Sequence, residues 1–362
     1  MTNSLDVSQF SRREFLRLSS AALISLLALG SPSLAYAASA LADDESTKLG
    51  RLTKNKIDLL DRPSPDAKII RTLKRDDVLQ ITNSTIGSGE QRANTVWYEL
   101  NGEGYVHSGS IQPVVNRLND LVKIIPTAGL LAEVTVPYTQ SLFQSKPGEW
   151  TESYRLYYDT THWVVGIAEG PDGEPWYRIR DEMLDYSENK DYYIPAKHAR
   201  LISPSEMTPL ATDVAPEKKR IEVSLENQEL TAYEDQKVVL KTKISSGLNY
   251  TPPGESTWNT PTGYFNIESK MLSKHMGNET PYNNYENGAY VLPGVSWVSF
   301  FEMSNGVAFH GTHWHQDFGM PKSHGCINMK TDEARWIYRW SAFTADPQAL
   351  ETTGFGTSVH IY

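Results

Sequence analysis

The 362-residue chain predicts a mainly β fold, with one or two small barrels followed by a larger β-rich domain that carries a short helix. Three observations lead there. Nineteen tyrosines and nine tryptophans fall in short runs broken by Gly, Pro and Asn, a composition of strands and turns. Segments such as Ile221-Glu222-Val223-Ser224-Leu225 alternate with period two, as half-buried strands do. After the single cysteine, only Thr331–Tyr338 has helical spacing, with Ala334, Ile337 and Tyr338 on one side.

Residues 1–40 stand apart from the fold. Ser11-Arg12-Arg13-Glu14-Phe15-Leu16 precedes an apolar run, Ala21–Leu29, and then Ala35-Tyr36-Ala37. A basic region, a hydrophobic region and an A-x-A site in that order read as an export signal, and the paired arginines make it a twin-arginine one. The apolar run is short of the ~20 residues a membrane span needs. No stable transmembrane segment is therefore expected after cleavage. The protein is expected outside the cytoplasm, in the cell wall or periplasm. Formal charge is −10 and the basic residues are scattered, which excludes nucleic acid as a partner.

The first folded segment spans residues 54–115. Strands are expected at Lys56–Leu59, Ile69–Leu73, Val78–Asn83, Thr95–Leu100 and Gly104–His107, with turns at Arg62-Pro63-Ser64-Pro65-Asp66 and Gly87-Ser88-Gly89. Short strands over so few residues suit a small closed barrel. The runs Leu60–Pro65, Leu73–Val78, Val96–Leu100 and Gly104–His107 resemble a bacterial SH3 domain. A similar grammar returns over residues 131–202, where Trp176-Tyr177 takes a place comparable to Trp97-Tyr98. That segment is read as a second, diverged SH3-like domain. The resemblance implies cell-wall binding through these domains. For Trp97 and Tyr98, alternation on one strand, one inward and one outward, competes with lining a groove.

Residues 218–362 form the third domain. Strand pairs around Asn227-Gln228 and Glu234-Asp235-Gln236 lead to a loop at Gly247 and Pro252-Pro253-Gly254, and Thr260-Pro261-Thr262-Gly263 leads into Tyr264–Ile267. Cys326, the only cysteine in the chain, lies in Ser323-His324-Gly325-Cys326-Ile327-Asn328, downstream of His310, His313 and His315. One cysteine makes no intramolecular bridge, and an unpaired thiol in an exported chain calls for an explanation. A free thiol with a pKa near 8.5 is about 3% ionised at pH 7, so a nucleophile needs a neighbouring base. His310 ends the strand-like run Val307-Ala308-Phe309-His310 and suits that task. Gly325 allows a tight turn, and the N–H groups of Gly325 and Cys326 are candidates for holding an oxyanion. A zinc site of His310, His313 and His315 is a competing reading, although their spacing matches no strong zinc pattern. A buried, inert cysteine is a third.

Phe309-His310-Gly311-Thr312, a loop, and then Ser323–Asn328 resemble the signature of the L,D-transpeptidase (YkuD) family. Ser246-Gly247 and Thr260–Phe265 resemble that family's N-terminal half, and Gly356–Ile361 its final strand. The resemblance implies a cysteine-dependent acyltransferase acting on peptidoglycan stem peptides, without cofactor or metal. Cys326 would attack the third stem residue and release D-alanine, and an amine of a second stem would resolve the thioester into a cross-link. His310 would be the base, oriented by the Gly311 carbonyl, with Ser323, His324, Gly325 and Asn328 in supporting roles. The loop of twelve residues between His310 and Ser323 is slightly shorter than usual for the family and rich in rings. His313, Trp314, His315 and Phe318 are expected to wall the acceptor side of the cleft, and the acidic balance of the chain to favour an amine there. Two further readings stand beside this one. Water as acceptor would make the protein an L,D-carboxypeptidase, and a decayed site would leave a cell-wall-binding scaffold.

Overall fold

Turn residues and period-two runs fold into strands along most of the chain. The computed structural model describes residues 48–88, 93–181, 191–251, 253, 257–277 and 291–362. The expected export signal, residues 1–40, lies outside them. All described residues belong to one compact unit. No helix among them is long and apolar enough to cross a membrane.

The first region contains β1 (Leu49–Leu52), β2 (Lys56–Leu60), β3 (Ile69–Lys74), β4 (Val78–Ile86), β5 (Val96–Leu100), β6 (Gly104–His107) and β7 (Ile111–Val114). The second contains β8 (Leu130–Val134), β9 (Tyr138–Lys146), β10 (Glu149–Tyr157), β11 (Thr161–Glu169), β12 (Pro175–Arg180), β13 (Tyr192–Pro195) and β14 (Ala199–Leu201). Their strand orders are β3-β2-β6-β5-β4-β1-β7 and β10-β9-β13-β12-β11-β8-β14, the same permutation twice. A 3-10 turn precedes the last strand of each, at Ser108–Ser110 and Ala196–His198. Trp97 and Trp176 hold equivalent places and use the same packing device. A Cβ at Gly87 would meet the Trp97 ring at 2.2 Å, and one at Gly170 the Trp176 ring at 2.1 Å.

Neither sheet closes into a barrel, which corrects the expected SH3-like barrels. Closure needs the two edge strands to pair, yet β3 and β7, like β10 and β14, stand at opposite ends of their sheets. The last strand of each region pairs with the first, β7 with β1 and β14 with β8, and goes no further. The β3 edge is open, with Ile69 and Ile70 53% and 46% exposed. Trp97 is buried and Tyr98 half-buried against the core of Leu52, Leu59, Leu73 and Leu100, so alternation and packing account for the pair.

After a single capped turn, α1 (Pro204–Met207), two five-stranded sheets follow. One joins β15 (Lys219–Ser224), β16 (Glu229–Glu234), β17 (Lys237–Lys243), β18 (Gly263–Asn266) and β24 (Ser358–Ile361), in the order β17-β16-β15-β24-β18. The other joins β19 (Ser269–Gly277), β20 (Val291–Glu302), β21 (Val307–Gly311), β22 (Ile327–Met329) and β23 (Thr352–Thr353), in the order β22-β21-β20-β19-β23. Helix α2 (Thr331–Trp340) packs on β20 and β21, and its Ala334, Ile337 and Tyr338 enter the core that both sheets share.

Two buried lysines satisfy the carbonyls at the end of α2, where cations are favoured. Lys270 Nζ donates to the carbonyls of Tyr338, Ser341 and Phe343 at 2.8, 2.7 and 2.7 Å, and Lys219 Nζ to that of Trp340 at 2.9 Å. Burial, and then the charge of Lys219, push Lys270 down to about 7. The second region is bonded to β19 and β20. Thr161 Oγ1 donates to Leu272 O, Ser273 Oγ to Thr161 O, and Ser296 Oγ to Asp159 O.

Candidate active site

Strand β21 places His310, and parallel pairing with β22 brings the Cys326 turn to the same cavity. Phe309 lies opposite Ile327 and His310 opposite Asn328. Because side chains alternate across a strand, His310 and Asn328 share one face, and Cys326, two residues before Asn328, points to that face as well. All three line a cavity of about 540 Å³.

His310 is buried, and its Nδ1–H donates to its neighbour's carbonyl, Gly311 O, at 3.0 Å. That bond fixes the neutral tautomer and leaves the lone pair on Nε2. Burial pushes the imidazole down to about 4, with the Gly311 carbonyl opposing. Cys326 is half-buried, its Sγ 3.5 Å from Gly306 O, and burial pushes its thiol up from 9.0 to about 11. At rest the cavity therefore holds a thiol and a neutral imidazole.

The turn that carries Cys326 is held from several sides. Gly325 has φ +127°, in the region that favours glycine. The Thr260 hydroxyl donates to Gly325 O at 2.6 Å and accepts from the Gly247 N–H at 2.8 Å. Ser246 O accepts from the N–H groups of Lys322 and Ser323. Ser323 Oγ donates to Cys326 O and accepts the Gly325 N–H. That last bond matters for the chemistry. The Gly325 N–H is spent inside the turn, so of the two expected oxyanion donors only that of Cys326 is left as a candidate.

His324 lines the cavity with its ring 4.0 Å from that of Trp258. His313 and Trp314 line it too, whereas His315 and Phe318 lie outside its lining and pack on each other, ring centroids 5.1 Å apart. His315 Nδ1 accepts from the Asp317 N–H, and its Nε2 lies 2.9 Å from the Asn328 side-chain amide. His315 thus braces β22, the strand that follows Cys326. Among the described residues no group of three or more His, Cys, Asp or Glu is placed to hold a metal ion. His310, His313 and His315 point to a carbonyl, a tyrosine ring and an amide respectively.

Several lining residues escaped sequence reasoning. Arg51, only 2% exposed, donates to His313 O at 2.8 Å, Asp76 at 2.7 Å and Gln112 at 2.8 Å, and its guanidinium lies 4.1 Å over the Tyr157 ring. Tyr157 in turn stacks on His313 at 4.9 Å. The first two sheets therefore hold the loop between His310 and Ser323, and the Gln316 N–H donating to Gly109 O adds to the grip. Lys54, Arg75 and His275 also line the cavity. His275 Nδ1 meets the Asp181 carboxylate at 2.6 Å, and its buried Nε2 has no partner among the described residues. No local motif marks these residues; the aromatic run around Tyr157 was the only signal.

Residues 218–361 match the YkuD family of L,D-transpeptidase catalytic domains. Among solved structures, an L,D-transpeptidase mutant of Enterococcus faecium is 25% identical over 40% of this chain and 50% of that one, with a TM-score of 0.29. The catalytic domain from the E. faecium enzyme is 27% identical over 40% and 98%, also with a TM-score of 0.29. An L,D-transpeptidase from Mycobacterium smegmatis is 16% identical over 52% and 90%, with a TM-score of 0.31. The chain spans half the length of the first of these. No curated protein matches it.

Proposed function

With residues 218–361 a YkuD L,D-transpeptidase catalytic domain, we propose that the protein is a cysteine-dependent L,D-transpeptidase of peptidoglycan stem peptides. The observation that carries the reading is the fixed tautomer of His310. Its Nδ1–H is tied to Gly311 O, and Nε2 is left as a base on the face that bears Cys326.

Nε2 takes the thiol proton as Sγ bonds to the carbonyl carbon of the third stem residue. The Cys326 N–H is the donor proposed for the oxyanion. When the intermediate collapses, the C–N bond breaks and His310 returns the proton to the departing D-alanine amine. A neutral amine of a second stem then attacks the thioester, His310 takes its proton, and Sγ leaves as the thiol. The peptide bond is exchanged through the acyl-enzyme, so no nucleotide is consumed. Residues 1–40 are proposed as the twin-arginine signal that puts this chemistry outside the cytoplasm. The two seven-stranded sheets are proposed to touch the polymer beside the catalytic domain.

Incubation with a stem tetrapeptide, followed by intact-mass analysis, tests the mechanism. A covalent adduct is expected on the wild type and none on Cys326→Ala or Cys326→Ser. An equally active alanine variant would rule it out. Muropeptides from the host then separate the acceptors: dimers linked through third residues support transpeptidation, and tripeptide monomers alone support the carboxypeptidase.

A further inference from the structure

Residues 244–248 follow β17 and hydrogen-bond to the chain on both sides of Cys326. Ahead of it, Ser246 O accepts the Lys322 and Ser323 N–H groups at 2.8 and 3.0 Å, and the Leu248 N–H donates to Ser323 O at 3.0 Å. Behind it, the Ser245 N–H donates to Asn328 O at 3.0 Å and Ser245 O accepts the Asn328 N–H at 2.8 Å. The contact leaves no slack: a Cβ at Gly247 would meet Trp258 O at 2.0 Å and Gly325 Cα at 3.0 Å. A shift of this segment is therefore passed to the turn that carries the thiol.

Gln228, in the turn between β15 and β16, grips the segment from another side. Its side chain is buried, and both amide protons and the carbonyl oxygen are used. Oε1 accepts the Ser246 N–H at 2.9 Å, and Nε2 donates to Ser246 Oγ and to Leu225 O, each at 2.7 Å. The Gln228 backbone stands at φ +47°, in the left-handed region that favours glycine and asparagine over glutamine. A turn alone would be served better by either. The side chain is thus the reason for glutamine here, and strain of this kind gathers where function needs a fixed geometry. We propose that Gln228 is a positioning residue for acyl transfer, acting through Ser246 and Gly247 to fix the Cys326 turn in the cavity it shares with His310. The inference rests on the acyl-transfer reading above. Reacting geometry is steep: a misplacement of about 1 Å costs about 10²-fold in rate.

The test measures D-alanine release from a stem tetrapeptide on the full chain, fitted for kcat and KM, together with iodoacetamide alkylation of Cys326. Gln228→Gly keeps the backbone conformation of the turn and removes the carboxamide. Gln228→Asn also suits that backbone, but its amide is one methylene short of Ser246, and it serves if the glycine variant does not fold. In either, kcat should fall about 10–100-fold while KM stays within about twofold. Alkylation needs the thiol but not its placement against a base, so its rate should stay within about twofold of the wild type's. Asn227→Ala, in the same turn but with its side chain bonded to Ser224, should match the wild type in all three. A glycine or asparagine variant with wild-type kcat overturns the proposal. So does a loss of kcat that Asn227→Ala shares or that an equal loss of alkylation accompanies. A wild type that releases no D-alanine and forms no acyl adduct sinks the acyl-transfer reading, and the proposal with it.

Discussion

Cys326 is the only cysteine, so alkylation of the whole protein reads one thiol without mutagenesis. Burial raises that thiol from 9.0 to about 11. At pH 7 about one molecule in 10⁴ then carries a thiolate, against about one in 30 for an ordinary thiol. A more basic thiolate is also more nucleophilic, and a Brønsted slope of about 0.4–0.5 returns roughly tenfold of that loss. Iodoacetamide should thus react with Cys326 about 20–30-fold more slowly than with a free cysteine at pH 7. Access to the cavity scales the absolute rate but leaves its pH dependence untouched. The rate should climb about tenfold per pH unit from 6 through 9, with no plateau. A resting thiolate–imidazolium pair would instead hold the rate level from about pH 5 upward. Intact mass at timed quenches gives the profile. His310→Ala should leave that profile nearly unchanged while acyl transfer falls about 10²–10⁴-fold, the usual worth of a positioned base. A plateau below pH 7 would refute the neutral-pair mechanism.

Exhaustive chelation should leave turnover unchanged and elemental analysis should find no stoichiometric zinc; activity lost on chelation and restored by zinc would turn His310, His313 and His315 into ligands. Burial holds His162 and His315 near 3 and His310 near 4, below their usual 6.5. Their unfolded forms therefore bind protons first, so the stability they hold is complete above about pH 6.5 and drains as pH falls toward 4 and 3. For His310 alone the loss approaches about 3 kcal/mol, and a Tm flat from pH 7 to 4 would contradict it. Arg51→Met leaves Asp76 with Arg155 and the Tyr157 hydroxyl and frees the His313 carbonyl. Breaking a buried pair costs about 3–5 kcal/mol, so Tm should drop and KM for the donor should rise; an unchanged KM would separate the first sheet from the site.

Much of the catalytic region was legible because its signals are local. The turn at Gly325, the strand ending in His310 and the helix from Thr331 each follow from a few neighbouring residues, and the structure places them together through the β21–β22 pairing. The Ser246-Gly247 and Thr260 segments were legible only by family resemblance; their hydrogen bonds to the cysteine turn give the physical reason they accompany it. Strands β19 and β20 went unread. Nearly every residue of both is buried, including Lys270, Lys274 and His275, so the period-two alternation that betrays a half-buried strand is missing.

What the chain shows along its length is which residues extend, turn or coil, since those choices depend on contacts a few residues apart. Which strand pairs with which is decided across the fold. The repeat of Trp97 and Trp176 is visible in the sequence, but whether its sheet closes depends on edges that meet or fail to meet, and here they stay apart. Distance in sequence hides chemistry in the same way. Arg51 reaches His313 across 262 positions, and His275 reaches Asp181 across 94. No spacing rule links such partners. Only burial makes them find each other, because a charge or imidazole taken out of water must be met by whatever group the tertiary fold brings alongside.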